Sequence, residues 1–193
     1  MSNEIYTTAG ADASNKVVLV FFVPGNPGLV SYYKDFLLRL KDNLKSRAAR
    51  DGSLDQNVRY EIFGSSLAGF DLDSSSRSIP TAKKELPLSL DSQVEDVYAR
   101  LEHVVDELRF RNGVKGELPV VLIGHSIGAY MVLQTVAKWR KLAQQASSAN
   151  MNLSAGICLF PTIYELALSP TGRQVGVRAK HSKPHDSSPS LTF

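Results

Sequence analysis

The sequence predicts an α/β fold built on a doubly wound, mainly parallel β-sheet. Three stretches, at residues 17–23, 119–124 and 155–160, are continuously apolar, which is typical of strands buried on both faces. Segments with helical periodicity lie between them. Because alternating strands and helices imply right-handed crossovers, the strands are expected to pair in parallel. The chain has 193 residues, 43% of them hydrophobic, and is long enough for one domain with a substantial core.

The first strand and helix are defined by a sharp change of pattern. The strand at 17–23 reads VVLVFFV, and the turn-forming stretch PGNPG ends it. A helix is predicted from about Ser31. Its apolar residues recur at helical spacing: Phe36, Leu37, Leu40 and Leu44.

The middle of the chain continues the alternation. A strand is predicted at 58–64 (VRYEIFG), and the stretch at 69–87, rich in Ser, Asp and Pro, is predicted to be a surface loop. An amphipathic helix follows, and Ser92 with Glu95 has the spacing of a capping box at its start. Its apolar stripe consists of Val94, Val97, Leu101, Val104, Val105 and Leu108.

The last predicted elements are a strand at 119–124 (PVVLIG), a helix from about 127 to 144 and a strand at 155–160 (AGICLF). The single cysteine, Cys158, excludes an internal disulfide. Because it lies inside an apolar strand, it is predicted to be a buried thiol.

The composition excludes several classes of function. The formal net charge of +3 is too small an excess to imply nucleic-acid binding. The N-terminus does not have the pattern of a signal peptide, and no apolar run approaches the roughly 20 residues of a membrane-spanning helix. We predict no bound cofactor and no metal site.

The strongest functional signal is the stretch GHSIGAY, which follows the second apolar strand. Gly124, His125, Ser126, Ile127 and Gly128 fit the pattern G-x-S-x-G of a nucleophile elbow in α/β-hydrolases. The serine sits at a tight turn between strand and helix, where flanking glycines avoid the clash of a Cβ atom. The N–H groups at the start of the next helix point at the developing oxyanion. Ser126 is therefore the candidate nucleophile, with a plain Gly-Ser turn as the alternative.

The loop after the first strand is the candidate second half of an oxyanion hole. In α/β-hydrolases the corresponding loop supplies one of the two N–H donors. We assign the donors to the backbone N–H groups of Asn26 and Ile127. The other loop residues of this site are Pro24, Gly25, Pro27 and Gly28. An ordinary Pro-Gly turn is the alternative for the loop.

His125 precedes the candidate nucleophile directly. Side chains of neighbouring residues diverge in a nucleophile elbow, so His125 is not expected to be the catalytic base of Ser126. It is predicted to have a structural role or to line the site.

Three stretches together resemble the lipid droplet-associated hydrolase family of the α/β-hydrolase superfamily. They read VPGNPGLVSYYKDF, VVLIGHSIGAY and LFPTIYELALSPTGR, and the last is not a generic hydrolase pattern. The resemblance implies an α/β-hydrolase fold with Ser126 as nucleophile. It also implies a lipid ester substrate, such as a sterol ester, and a peripheral position on the cytosolic side of lipid droplets and endoplasmic reticulum.

The sequence departs from the family pattern in two places. Family members tend to have Ser-His-x-Gly-His after the second strand, where this chain has SLAGF at 66–70. The fold also requires a catalytic Asp or Glu and then a His after the nucleophile. The acidic residues after it are Glu165 and Asp186, and the histidines are His181 and His185. None of them has the order and separation of a triad, so no triad acid or base is assigned.

The expected domain organisation follows from these departures. We assign residues 17–175 to a partial α/β-hydrolase domain that lacks the lid and the last strands, and residues 1–16 to an N-terminal segment. Residues 176–193 are dense in Ser, Pro and Lys and are predicted to be a divergent, disordered tail. The chain is therefore expected to be a shortened product of a longer gene, through alternative splicing or through an inaccurate gene model.

Two functions fit the sequence. The first is a serine ester hydrolase of lipid droplets whose activity is impaired by loss of the triad acid and base. The second is a non-catalytic protein of lipid droplets or lipid homeostasis that retains the first half of the fold. A phosphate-binding role for GNPG is a distant third, because the lysine and glycine spacing of a P-loop are absent.

Overall fold

Five strands form one mixed sheet in the part of the chain that the computed structural model describes, residues 3–10, 16–50, 57–70, 88–145 and 150–162. The strands are β1 (Glu4–Gly10), β2 (Lys16–Val23), β3 (Val58–Ser65), β4 (Leu118–His125) and β5 (Met151–Leu159). Their order across the sheet is β1-β3-β2-β4-β5. Strands β2 to β5 pair in parallel, whereas β1 pairs with β3 in antiparallel orientation.

Helices cover both faces of the sheet, as the predicted doubly wound arrangement requires. A short 3-10 helix (Val30–Tyr33) leads into α1 (Lys34–Arg50), and α2 (Leu90–Asn112) and α3 (Ile127–Gln145) follow. One apolar cluster joins α1 to its face of the sheet, and a larger cluster joins α2 and α3 to the opposite face. The predicted helix from Ser31 thus begins as a 3-10 turn.

The central strand β2 contributes to both layers of the core, as its continuous apolar run predicts. Leu19 and Phe21 pack in the cluster with α2 and α3, whereas Val20 and Phe22 pack in the cluster with α1. Burial on both faces is the reason that this strand carries apolar residues without alternation. β4 lies beside it, which brings the ends of the two strands together.

The start of α2 differs from the prediction. Ser89 is the N-cap, and its hydroxyl accepts a hydrogen bond from the backbone N–H of Ser92 at 3.1 Å. The capping box assigned to Ser92 and Glu95 is therefore wrong, because both residues lie inside the helix. The hydroxyl group of Ser89 caps the helix, so the helix begins about one turn earlier than predicted. Glu95 instead forms an ion pair with Lys138 of α3.

Strand β1 has no counterpart in the prediction, which assigned residues 1–16 to an N-terminal segment. Its side chains alternate, with Ile5 packed on the α1 side and Ala9 buried. Several of its other residues are polar, so the sequence carries no apolar run there. Pairing with β3 over the full length from Glu4 to Gly10 makes this segment part of the sheet.

At the other end of the described sheet, β5 pairs with β4 on one side. Ala155, Gly156 and Ile157 are exposed, although their sequence is apolar. Cys158 is partly exposed, so the prediction of a buried thiol is wrong. Among the described residues no strand pairs with the outer edge of β5. Residues 71–87 of the loop predicted at 69–87, and the whole predicted tail at 176–193, lie outside the described residues.

A buried carboxyl group ties β1 to β3 and to the end of α2. Glu61 of β3 is fully buried, and the hydroxyl of Tyr6 donates a hydrogen bond to it. Its Oε1 atom lies 2.7 Å from the guanidinium of Arg59 and 3.4 Å from that of Arg111. Burial raises the pKa of Glu61, and the positive charge of Arg59 acts in the opposite direction.

This balance predicts how stability depends on pH. A carboxyl group with a raised pKa in the folded state holds its proton more tightly than in the unfolded state. The free energy of unfolding therefore falls as the pH rises from the ordinary value of 4.5 through the raised one. Replacement Glu61→Gln removes this titration. We expect the difference in free energy of unfolding, wild type minus Glu61→Gln, to decrease with rising pH in urea titrations. A difference that grows with pH would mean that the ion pairs outweigh burial.

Candidate active site

Ser126 is the one residue between the end of β4 and the start of α3. Its φ angle of 53° lies in the left-handed region, which residues other than glycine rarely adopt. Strain of this kind is a feature of the nucleophile elbow, where it lifts the serine hydroxyl above the sheet. The structure thus has the strand, turn and helix that the G-x-S-x-G pattern predicts.

The glycines around the elbow are required by close contact between backbones. A Cβ atom on Gly124 would lie 2.4 Å from the carbonyl oxygen of Gly128. A Cβ atom on Gly128 would lie 2.4 Å from the oxygen of Val23 and 2.6 Å from that of Pro24. The first turn of α3 therefore packs directly against the backbone at the end of β2.

This contact predicts the effect of Gly128→Ala. Helix propensity alone favours alanine over glycine by about 1 kcal/mol. The clash with two backbone oxygens should reverse the sign and lower the free energy of unfolding by about 2 kcal/mol or more. The matched control is Gly156→Ala in β5, where the nearest atom to an added Cβ is a Val132 methyl group at 3.7 Å. Denaturant unfolding of both variants gives the comparison, and equal stability would contradict the packing described here.

The loop after β2 is a tight turn held on several sides. The N–H of Gly28 donates to the carbonyl oxygen of Gly25 at 2.8 Å, and the N–H of Leu67 donates to that of Gly28 at 2.8 Å. A Cβ atom on Gly25 would lie 2.8 Å from the Cβ atom of Ser126. The candidate oxyanion loop and the candidate nucleophile are therefore in direct contact, as their pairing in the sequence analysis assumes.

Tyr33, which the sequence analysis did not single out, connects this loop to the elbow. Its hydroxyl oxygen accepts a hydrogen bond from the N–H of Gly25 at 3.1 Å and lies 2.9 Å from Nδ1 of His125. The His125 ring also packs 5.5 Å from the Tyr33 ring and 6.1 Å from the Phe160 ring, measured between centroids. His125 thus belongs to an aromatic cluster beside the candidate nucleophile.

The residues after β5 close around Ser126. Its N–H donates to the carbonyl oxygen of Leu159 at 2.9 Å, and its own carbonyl oxygen accepts from the N–H of Thr162 at 3.2 Å. Its hydroxyl oxygen lies 3.2 Å from the hydroxyl oxygen of Thr162. Phe160, with a φ angle of 45°, turns the chain back over the elbow. Thr162 was also missed, although it lies in the motif FPTI on which the family resemblance rests.

The first departure from the family pattern falls beside the oxyanion loop. Phe70, where family members tend to have histidine, places its ring against Gly28, so that an added Cβ there would lie 2.8 Å from a ring carbon. The φ angle of 84° at Gly28 also favours glycine. The residues of the second departure, Glu165, His181, His185 and Asp186, lie outside the described residues.

The fold is that of the α/β hydrolases. A tributyrin phosphonate-inhibited esterase B from Lactobacillus rhamnosis superposes with a TM-score of 0.53 at 14% identity, over 95% of this chain and 57% of that one. A fungal esterase from Rhizomucor miehei superposes with a TM-score of 0.51 at 13% identity, over 89% of this chain and 44% of that one. The predicted α/β-hydrolase fold is confirmed. No helix in the described ranges is long and apolar enough to cross a membrane.

The chain belongs to the lipid droplet-associated hydrolase family, whose family model matches residues 16–185. The mouse lipid droplet-associated hydrolase is 30% identical over 165 residues, which are 84% of this chain and 43% of the mouse protein. The human protein of that name is 31% identical over 160 residues, 81% of this chain and 41% of the human one. The family predicted from the sequence is confirmed. The chain spans about two fifths of the length of these two relatives.

Proposed function

We propose that this chain carries the nucleophile and the oxyanion hole of a serine ester hydrolase that acts on lipid esters. The observation that carries the proposal is the strained backbone of Ser126 between β4 and α3, in direct contact with the loop after β2. A serine in this setting has its hydroxyl at the carboxyl edge of a parallel sheet, where α/β enzymes bind substrates. Membership of a hydrolase family supports the same reading.

Hydrogen bonding within the loop favours Asn26 as one oxyanion donor. Two of the five loop residues are prolines and have no N–H group. The N–H of Gly25 is bonded to Tyr33, and the N–H of Gly28 is bonded to Gly25. Asn26, which is exposed, is the remaining donor of these five described residues.

The same argument favours Ile127 as the second donor. The N–H of Ser126 itself is bonded to Leu159 and is not available to a substrate. Ile127 is the first residue of α3, and N–H groups in a first helical turn have no acceptor within the helix. The helix macrodipole adds a favourable field for negative charge at this position.

These groups support acyl transfer. The hydroxyl oxygen of Ser126 attacks the ester carbonyl carbon, and negative charge develops on the carbonyl oxygen between the N–H groups of Asn26 and Ile127. The alcohol leaves with a proton, and water then releases the acid from the acyl-serine. Each preset donor contributes about 3 kcal/mol to lowering such a barrier. A base must take the serine proton, and in this proposal it comes from outside the described residues.

The substrate and location are proposed from the surface beside Ser126 and from the relatives. Phe70 and Phe160 are 41% and 85% exposed and follow the carboxyl ends of β3 and β5. Ser126 follows β4, so all three residues lie at one edge of the sheet. Exposed aromatic side chains beside Ser126 suit a lipid ester substrate such as a sterol ester. The mouse and human relatives are named as lipid droplet-associated, and we assign this chain to the surface of lipid droplets and endoplasmic reticulum, on the cytosolic side.

A specific observation favours the second candidate function, a non-catalytic role in lipid homeostasis at the lipid droplet. Within the described ranges, the hydrogen-bonding partner of the Ser126 hydroxyl is the hydroxyl of Thr162. A hydroxyl group is too weak a base to activate serine as an imidazole does. In this version the elbow and loop retain the geometry of the fold without turnover.

Labelling with a fluorophosphonate probe separates the two candidates. The serine oxygen displaces fluoride and forms a bond to phosphorus only where the hydroxyl is nucleophilic. We expect the 193-residue chain to be labelled and Ser126→Ala to lose at least about 100-fold in labelling rate, because the nucleophile is removed. The matched control is Ser154→Ala, an exposed serine of β5.

Two results would count against the hydrolase. Undiminished labelling of Ser126→Ala would place the reactive residue elsewhere. A folded wild-type chain that the probe does not label would favour the non-catalytic role.

A further inference from the structure

The Tyr33 hydroxyl is the meeting point of the two halves of the site. It contacts the N–H of Gly25 at 3.1 Å in the loop after β2 and Nδ1 of His125 at 2.9 Å at the end of β4. His125 is the immediate neighbour of Ser126, and Gly25 is the immediate neighbour of Asn26. One phenolic oxygen thus links the residue before the proposed nucleophile to the residue before a proposed oxyanion donor.

One of these two hydrogen bonds has a direction that the groups themselves fix. The Gly25 N–H can only donate, so the Tyr33 oxygen accepts from it. Between the Tyr33 hydroxyl and Nδ1 of His125 either atom can be the donor, depending on the tautomer of the imidazole. In both tautomers the phenolic oxygen joins Gly25 to His125.

The loop peptide that carries the proposed donor is held at both ends. The carbonyl oxygen of Gly25 accepts from the N–H of Gly28 at 2.8 Å, and it belongs to the same planar peptide unit as the N–H of Asn26. Fixing that carbonyl fixes the direction of the Asn26 N–H. The bond from the Gly25 N–H to Tyr33 holds the preceding peptide unit, so the conformation of Gly25 is constrained on both sides.

The ring of Tyr33 is anchored independently of its hydroxyl. It packs against Phe22 of β2, with centroids 4.7 Å apart, and belongs to the apolar cluster beneath α1. Removal of the hydroxyl should therefore leave the ring in place and change only the polar contacts. This separation between ring packing and hydrogen bonding makes the role of the hydroxyl testable.

We infer that Tyr33 is a positioning residue whose hydroxyl sets the oxyanion loop against the nucleophile elbow. The inference rests on the proposed function, because it assigns the loop to the oxyanion hole. Tyr33 touches neither substrate nor Ser126 in this account. It acts through Gly25 and His125, and its effect is on the transition state, where the oxyanion forms.

The test compares Tyr33→Phe with Tyr32→Phe in the 193-residue chain. Tyr32 is the adjacent tyrosine, it is 70% exposed, and its loss of a hydroxyl serves as the control. Fluorophosphonate labelling is measured against probe concentration, which separates the maximal rate constant from the concentration for half-maximal rate. Tyr33→Phe should lower the maximal rate constant by about 10- to 100-fold and leave the half-maximal concentration within about twofold of the wild-type value. Tyr32→Phe should label with the same two constants as wild type.

Amide hydrogen exchange gives a second readout that does not require catalysis. The Gly25 amide should exchange at least about tenfold faster in Tyr33→Phe than in wild type or Tyr32→Phe, since it loses its acceptor. An unchanged rate of exchange at Gly25 would overturn the inference. A thermal melt shows whether Tyr33→Phe is less stable than wild type. If instability makes the variant label poorly, the exchange rate of the Gly25 amide can still be measured.

The outcomes distinguish this inference from the function on which it rests. A wild type labelled at Ser126 with Tyr33→Phe labelled at the same rate overturns the positioning role alone. A wild type that is folded but not labelled defeats the proposed hydrolase, and the positioning role with it. A loss in Tyr33→Phe that appears equally in Tyr32→Phe would show a general loss of structure and would also overturn the inference.

Discussion

The site depends on the close approach of two backbones, that of the loop after β2 and that of the first turn of α3. Gly128 lies so near the carbonyl oxygens of Val23 and Pro24 that a Cβ atom has no room, and Gly25 has the same relation to Ser126. Both contacts follow from the parallel pairing of β2 with β4, which ends the two strands side by side. Glycine at these positions lets the loop after β2, the elbow and the first turn of α3 lie in direct contact.

Besides this contact, a network of hydrogen bonds holds Ser126 and the loop after β2 in place. Leu159 and Thr162 hold the peptide groups of Ser126 from the side of β5, and Tyr33 holds Gly25 from the side of α1. Donors that are already oriented need no reorganisation when charge develops, which is the physical basis of oxyanion stabilisation. The strained conformation of Ser126 is kept by the same contacts, because a strained residue persists only where its surroundings over-determine it.

Much of this architecture could be predicted from local pattern. Strands β2 and β4 are predictable because burial on both faces requires continuous apolar runs. The elbow is predictable because close backbone contacts require glycine at fixed positions around the serine. β1 was missed since an edge strand with polar residues leaves no such run. The cap of α2 was placed three residues late, because Ser92 and Ser89 both offer a hydroxyl and only the longer helix uses Ser89.

Other features depend on contacts that no local pattern contains. Tyr33 meets His125 across 92 residues, and Ser126 meets Thr162 across 36. The exposure of Cys158 depends on what lies beside β5, whose apolar residues alone predict burial. The acid and base of a triad also depend on long-range contacts, since the fold supplies them from elements that follow the nucleophile in the chain.

A structure of the chain after reaction with a phosphonate ester is the most direct test of the central claim. We expect a covalent bond between phosphorus and the hydroxyl oxygen of Ser126. We also expect the phosphoryl oxygen to lie about 2.7–3.1 Å from the backbone nitrogens of both Asn26 and Ile127. A phosphoryl oxygen turned away from these two N–H groups, or a phosphonate bonded to another residue, would contradict it.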